Sequence, residues 1–152
     1  MSERPDIAAY SPDNELVLIV EVKNKRGASL EWLTQMHRNL IGHSVIPSSR
    51  FFLLVMPDYF YLWKDTASQN ENAVPDYKIE AGEALRQYTE RTSISLDNIS
   101  SQGLELLVTS WLRDLANSDL SKEKSNPALK WLFDSGLYDS IKNGSIHMEA
   151  AA

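Results

Sequence analysis

The fold of this chain is decided by residues 4–23, which read RPDIAAYSPDNELVLIVEVK. Residues 16–23 are rich in Val, Ile and Leu, as strands covered on both faces tend to be. Residues 6–10 are predicted to form a shorter strand that precedes this one. The connector, residues 11–15, contains Pro, Asp and Asn, which are the residues that form tight turns. We therefore predict a β-hairpin.

The hairpin predicts which side chains meet at its open end. Because side chains alternate along a strand, Glu21 and Lys23 are predicted to share one face with Val17 and Ile19. An even-length turn sets a register in which the facing pairs are Tyr10–Val17, Ala8–Ile19 and Asp6–Glu21, whereas a three-residue turn would shift them. In the favoured register two carboxylates lie directly across from each other.

Two carboxylates so placed repel each other and destabilise a sheet. A bound divalent cation reverses that effect, since Mg²⁺ is commonly held by one or two carboxylates with waters and substrate phosphate. Lys23, one step further along the same face, would contact a phosphate or the attacking water. Each residue taken alone is better explained by an ordinary solvated strand end, so the interpretation depends on Asp6, Glu21 and Lys23 together.

The remaining sequence predicts a single α/β or α+β domain over residues 1–152, with a sheet-rich core at 1–65 and a helical extension at 76–146 packed on it. Ser29 is a predicted N-cap for a helix that ends near Gly42. Further strands are predicted at 51–56 and 59–64, a polar loop at 66–75, and helices at 83–91, 101–117, 127–135 and 137–142. Pro127 and Gly136 stand where a helix commonly begins and ends.

Helix 101–117 carries an apolar stripe at helical spacing. Such a stripe is either core or a partner-binding face, and core is the more common case. We predict that four of its residues are buried within the same domain: Leu107, Val108, Trp111 and Leu115.

The composition limits the classes of protein to consider. Hydrophobic residues make up 43% and charged residues 24%, values that are ordinary for a soluble globular domain. The absence of cysteine excludes disulfides and thiolate metal sites. There is no signal peptide at the start, and the longest apolar run, residues 16–20, is too short to cross a membrane. We predict a cytoplasmic protein with no membrane partner.

The formal net charge of −6 argues against broad electrostatic binding of nucleic acid. Several basic residues nevertheless lie close together in the first third of the chain: Lys23, Lys25, Arg26, Arg38 and Arg50. As a group they are compatible with local phosphate binding.

Other residue types give weaker indications. None of the histidines, at positions 37, 43 and 147, has a partner at zinc-ligand spacing. Four aromatic residues have rings that stack on bases in some proteins, but core packing is the better interpretation for Trp32, Tyr59, Tyr61 and Trp63.

The segments Arg4-Pro5-Asp6 and Glu21-Val22-Lys23, on a hairpin followed by a helix and a strand, resemble the PD-(D/E)xK phosphodiesterases. This superfamily includes restriction-type, recombination and repair nucleases. The resemblance covers roughly residues 1–60 and implies a restriction-endonuclease-like fold, in which a mixed β-sheet is flanked by helices, here with a helical C-terminal half. It also implies that Asp6, Glu21 and the Val22 carbonyl hold Mg²⁺ or Mn²⁺, and that Lys23 orients or deprotonates the water.

Several branches of the superfamily place a glutamine on the helix after the motif, which makes Gln35 a candidate for a fourth catalytic position. A surface helix glutamine is an equally good interpretation. Family members usually begin with a helix that often carries another acidic ligand. Only five residues precede Asp6, so we expect that helix to be missing from this chain.

The expected function is that of a magnesium-dependent endonuclease, a hydrolase that acts on DNA. Lys25, Arg26 and Arg38 are the predicted nucleic-acid contacts, and a homodimer is compatible with this expectation. The alternative is a catalytically inactive module that keeps the nuclease fold and binds a protein partner or nucleic acid.

Overall fold

A computed structural model describes residues 5–42, 49–64 and 74–148 of the chain, with the side chains of residues 41 and 42 left undescribed. Its centre is a six-stranded mixed sheet in the order β5-β4-β3-β2-β1-β6, and helices flank it. The predicted mixed sheet with flanking helices is therefore confirmed. Arg4, His43 and most of the predicted 66–75 loop lie outside the described residues.

The strands are β1 (Ile7–Tyr10), β2 (Leu16–Val22), β3 (Phe51–Val55), β4 (Tyr59–Lys64), β5 (Tyr77–Glu80) and β6 (Ser145–Met148). The helices are α1 (Leu30–Gly42), α2 (Ala81–Ala84), α3 (Arg86–Thr92), α4 (Ser101–Asn117), α5 (Lys130–Asp134) and α6 (Leu137–Ile141). Short 3₁₀ turns occupy Ser121–Glu123 and Pro127–Leu129.

The second part of the chain is less purely helical than predicted. It contributes both edge strands of the sheet, β5 against β4 and β6 against β1. The predicted helix 83–91 is two short helices that meet at Leu85, a fully buried residue whose φ of −104° departs from helical geometry. Asn126 does cap a turn, because its Oδ1 accepts a hydrogen bond from the Ala128 N–H at 3.0 Å, but that turn is 3₁₀.

Helix α1 makes the crossover between two parallel neighbours, β2 and β3. Ser29 caps it as predicted, since its Oγ accepts a hydrogen bond from the Trp32 N–H at 3.1 Å. The parallel register pairs Leu18 with Phe51 and Val22 with Val55, so β2 and β3 both end at the same edge of the sheet. Residues that follow β2 therefore lie beside α1 and the end of β3.

The β1–β2 hairpin has the predicted register at its open end, but its turn differs from the predicted one. The Ser11 N–H donates to the Glu15 carbonyl at 2.8 Å, which closes a three-residue turn and pairs Tyr10 with Leu16. A bulge between Ala9 and Tyr10 then corrects the offset, so that Ala8 pairs with Ile19 and Ile7 with Val20. The predicted even-length turn and the Tyr10–Val17 pair are wrong, while the Ala8–Ile19 pair is confirmed.

The bulge also changes the face on which Val17 lies. Val17 packs with Leu18 and Val20 on one side of the sheet, whereas Leu16 and Ile19 pack on the other side. An extra residue in a strand interrupts the alternation of side chains. Val17 therefore does not share a face with Ile19, contrary to the prediction.

The two sides of the sheet have separate hydrophobic clusters. On the side that we call the α4 face, inward residues of β1–β4 pack against α4, α5 and α6. The predicted stripe is confirmed as core there, since all four of its residues are buried: Leu107, Val108, Trp111 and Leu115. On the opposite side, the α1 face, a smaller cluster lies under α1 and includes Ile19, Leu33 and Trp63.

Among the described residues, no helix has the length and apolar character needed to cross a bilayer.

Candidate active site

The predicted catalytic residues lie where β1 begins and β2 ends. Continuing the observed register by one residue places Asp6 level with Glu21, although the paired ladder stops at Ile7–Val20. The Val22 N–H donates a hydrogen bond to Oδ2 of Asp6 at 2.7 Å. The Asp6 carboxylate therefore contacts the backbone of the segment that carries Glu21 and Lys23. That the Asp6 and Glu21 carboxylates approach each other directly stays a prediction.

Glu21 and Lys23 differ in their exposure. Glu21 is buried, with 9% of its surface exposed, whereas Lys23 is exposed. Ile19 packs in the α1-face cluster, so alternation along the bulge-free end of β2 directs Glu21 and Lys23 to that same face. The Lys23 N–H donates to the Val55 carbonyl at 2.9 Å, which fixes the backbone of Lys23 against the end of β3.

Lys23 lines a cavity of about 400 Å³ between the end of β2 and helix α1. The other lining residues all come from α1: Trp32, Gln35, Met36, Asn39 and Leu40. The structure thus brings Gln35, the candidate for a fourth catalytic position, into the same cavity as Lys23. Gln35 is exposed, which is also what the surface interpretation predicts.

The loop after β2 is attached to the segment that precedes α4. The Arg26 guanidinium donates to the Leu96 carbonyl, and Asn24 Nδ2 donates to the Ile99 carbonyl at 3.5 Å. Gly27 has a φ of +66°, which suits glycine, and its N–H donates to Asp58 Oδ2 at 2.8 Å. These contacts hold the loop beside the end of β2.

The basic residues that are close together in the first third of the sequence do not all lie together in the structure. Lys25 Nζ lies 5.1 Å from the centre of the Trp32 ring, next to the Lys23 cavity. Arg38 is exposed and lines a neighbouring cavity of about 500 Å³ that also includes Gln35. Arg50 precedes β3 and lies at the opposite end of the sheet, where its Nη1 donates to Ser140 Oγ at 3.4 Å. The expectation that Arg50 belongs to the same basic group is therefore wrong, because β3 runs parallel to β2.

One acidic residue near Asp6 escaped the sequence analysis. Burial raises the pKa of the Glu105 carboxyl, and the negative charge of Asp6 raises it further. The α4 helix therefore brings a second carboxylate toward the start of β1. Nothing in the sequence indicates this, because Glu105 lies among apolar helix residues 99 positions after Asp6.

The donor types at the end of β2 fit Mg²⁺ or Mn²⁺, since carboxylate and carbonyl oxygens are the ligands that hard cations prefer. A carboxylate has about four lone-pair sites, and the hydrogen bond from Val22 uses one of those of Asp6. Within residues 5–42, 49–64 and 74–148, no three His, Cys, Asp or Glu residues come together in a metal-binding group. The ligand set that the family resemblance implies has fewer such side chains, because it consists of two carboxylates and one backbone carbonyl oxygen.

No protein-family model, no curated protein and no solved structure matches this chain. The function is therefore inferred from the chain's own residues.

Proposed function

We propose that this protein is a Mg²⁺- or Mn²⁺-dependent nuclease that hydrolyses DNA phosphodiester bonds at the end of β2. The observation that carries the proposal is the 2.7 Å hydrogen bond from the Val22 N–H to Asp6. It links Asp6, at the start of β1, to the end of β2, which carries Glu21 and Lys23. The metal-binding and catalytic roles proposed for these residues follow from their resemblance to the PD-(D/E)xK motif.

Each residue has a distinct role in this proposal. Asp6, Glu21 and the Val22 carbonyl would hold the cation. When bound, a divalent cation supplies charge neutralisation at the scissile phosphate and lowers the pKa of a coordinated water. The Lys23 ammonium would stabilise negative charge that develops on the phosphate or on the attacking water. Gln35, in the same cavity as Lys23, would orient the substrate.

A second candidate function is a non-catalytic module that binds a protein or nucleic acid. The Asp6–Val22 hydrogen bond is also consistent with this alternative. A carboxylate that accepts from a backbone N–H beyond the paired part of a strand can have a purely structural role. The net charge of −6 points the same way, since it disfavours broad binding to DNA.

The substitution Asp6→Asn separates these two roles. The asparagine side chain retains an oxygen that accepts from the Val22 N–H, but it loses the negative charge that strengthens cation binding. If Asp6 binds metal, Asp6→Asn abolishes cleavage and lowers Mn²⁺ affinity in a calorimetric titration, while thermal unfolding without metal changes little. Unchanged Mn²⁺ binding in this variant would assign Asp6 to the structural role.

Lys23→Ala provides the second test. Because Lys23 is exposed at the end of β2, its truncation opens no core cavity, and we expect intact folding with cleavage reduced by two orders of magnitude or more. Lys122→Ala removes an exposed lysine from the 3₁₀ turn Ser121–Glu123 and is the matched control. The assay uses single- and double-stranded DNA at low salt with Mg²⁺ or Mn²⁺. A wild-type protein that neither cuts these substrates nor binds either ion at millimolar concentration would overturn the nuclease proposal.

A further inference from the structure

The cavity beside Lys23 combines aromatic, apolar and polar side chains in its lining. One wall is the half-buried ring of Trp32, and the apolar side chains of Met36 and Leu40 continue it. The exposed amides of Gln35 and Asn39 provide hydrogen-bond donors and acceptors at the same place. Its volume of about 400 Å³ lies in the range of small-ligand sites.

Two lysines bring positive charge to the cavity. Lys23 lines it directly, and Lys25 lies against the Trp32 ring with Nζ 5.1 Å from the ring centre. An aromatic wall, two amides and two ammonium groups are complementary to a heterocyclic base joined to a phosphate. Bases stack on aromatic rings, amides bond to base edges, and ammonium groups bind phosphate.

The structure also separates Trp32 from the other aromatic residues of the first part of the chain. Tyr61 and Trp63 are buried in the α1-face cluster, with 4% and 0% of their surfaces exposed. Tyr59 has Lys78 Nζ 4.1 Å from its ring centre, at the edge formed by β4 and β5. Trp32 is the one of these four rings that lines the cavity of Lys23.

We propose that this cavity binds an unstacked base of single-stranded DNA, next to the phosphate contacted by Lys23. A base in a duplex is stacked and paired, so it reaches such a cavity only after it is extruded, at a cost of a few kcal/mol. Single-stranded DNA does not incur that cost. The proposal deepens the proposed function and rests on it for the position of the scissile phosphate, but base binding itself needs no cation.

The neighbouring cavity extends the path that such a strand would follow. Gln35 lines both cavities, and Arg38 lies one helical turn further along the outer surface of α1. A strand whose base occupies the Lys23 cavity would pass Gln35 and place its next phosphate near Arg38. The bound strand thus follows α1.

The test is fluorescence anisotropy of a labelled single-stranded oligothymidylate, with the same sequence as a duplex for comparison, in EDTA at low salt. We expect the wild-type protein to bind the single strand at least tenfold more tightly than the duplex. Gln35→Ala and Asn39→Ala alter exposed side chains and should each weaken binding severalfold without affecting folding. Trp32→Ala should weaken it by about tenfold or more, and Trp32→Phe should restore most of the loss.

Leu106→Ala, at an exposed position on α4, is the control and should bind as the wild type does. Thermal unfolding of each variant separates lost binding from lost folding. Equal affinity for single strand and duplex, or wild-type affinity in both amide variants, would overturn the proposal. Because EDTA removes the cation, tight variant-sensitive binding without any cleavage in Mg²⁺ would leave the cavity proposal standing and overturn only the nuclease.

Discussion

The two faces of the sheet are built differently. Among the described residues, helices α2 to α6 all contribute to the cluster on the α4 face, and its core consists of apolar and aromatic residues that are almost completely buried. Within the part of the chain that the structure describes, the α1 face is covered by α1 alone, has a smaller cluster, and includes the buried polar residue His37 against Phe52 and Trp63. The Lys23 cavity opens on this second face. The difference indicates that the α4 face supplies most of the stability and leaves the α1 face free to carry a site.

The largest expected effect on stability is at Trp111, in the middle of the α4 face. Trp111 is 5% exposed, and its ring centre lies 5.4 Å from that of Phe60 and 6.0 Å from that of Trp131. Trp111→Ala removes these contacts and leaves a cavity, so we expect a loss of about 3–5 kcal/mol in the free energy of unfolding. Urea denaturation of the wild type and the variant measures it.

Leu106→Ala, on the solvent side of the same helix, is the matched control, with an expected change below about 0.5 kcal/mol. A Trp111→Ala variant as stable as this control would show that the α4 face is not the main source of stability.

His37 should make the α1 face sensitive to acid. It is 1% exposed, its ring stacks on Trp63 at a centroid distance of 4.7 Å, and neither ring nitrogen has a hydrogen-bond partner in the described ranges. Burial lowers the pKa of His37 to about 4, although the charge of Asp76 opposes this shift.

Because the folded-state pKa of His37 lies below the unfolded value of 6.5, the unfolded chain binds the proton more tightly. The stability associated with neutral His37 is therefore complete above about pH 6.5 and is lost as the pH falls toward 4. The loss should be on the order of 2–3 kcal/mol. Unfolding free energies at several pH values, compared between the wild type and His37→Phe, measure this contribution.

His147→Gln changes an exposed histidine on β6 and serves as the reference. If His37→Phe loses stability between pH 6.5 and 4 as steeply as that reference variant does, the acid sensitivity has another source.

The smallest expected effect concerns the start of α4. Ser100 Oγ accepts a hydrogen bond from the Gly103 N–H at 3.0 Å, so Ser100→Ala should cost about 1 kcal/mol. Ser101→Ala, one residue inside the helix and exposed, should change the unfolding free energy by less. Equal losses in both variants, measured by urea denaturation, would show that the Ser100 cap contributes nothing of its own.

Much of the fold was predictable where the sequence pattern is long and regular. The bounds of α4 and β4 are those predicted, and β2 differs from the prediction by one residue. The strands β5 and β6 contain only four residues each, which is too short for alternation to distinguish a strand from a loop. The bulge in the hairpin was not predictable either, because an odd turn and a compensating extra residue together imitate an even turn.

The candidate site was predictable only within a single hairpin. The Asp6, Glu21 and Lys23 set follows from spacing along the chain, and the shared face of the last two follows from alternation. The approach of Glu105 to Asp6 depends on how α4 packs across the sheet, which no local pattern encodes. The cavity between Lys23 and α1 likewise depends on the angle at which the helix crosses the strands.

The two edge strands have a consequence for how the chain folds as it is synthesised. β1 is made well before β6, which pairs with its outer edge and is made only when residues 145–148 are added. Contacts so distant in sequence form late and slow folding. Until they form, β1 presents unpaired backbone groups that invite pairing with another chain. The outer edge of β1 is thus paired only after nearly all of the described chain is present, and we expect a truncated product ending near residue 64 to be prone to aggregation.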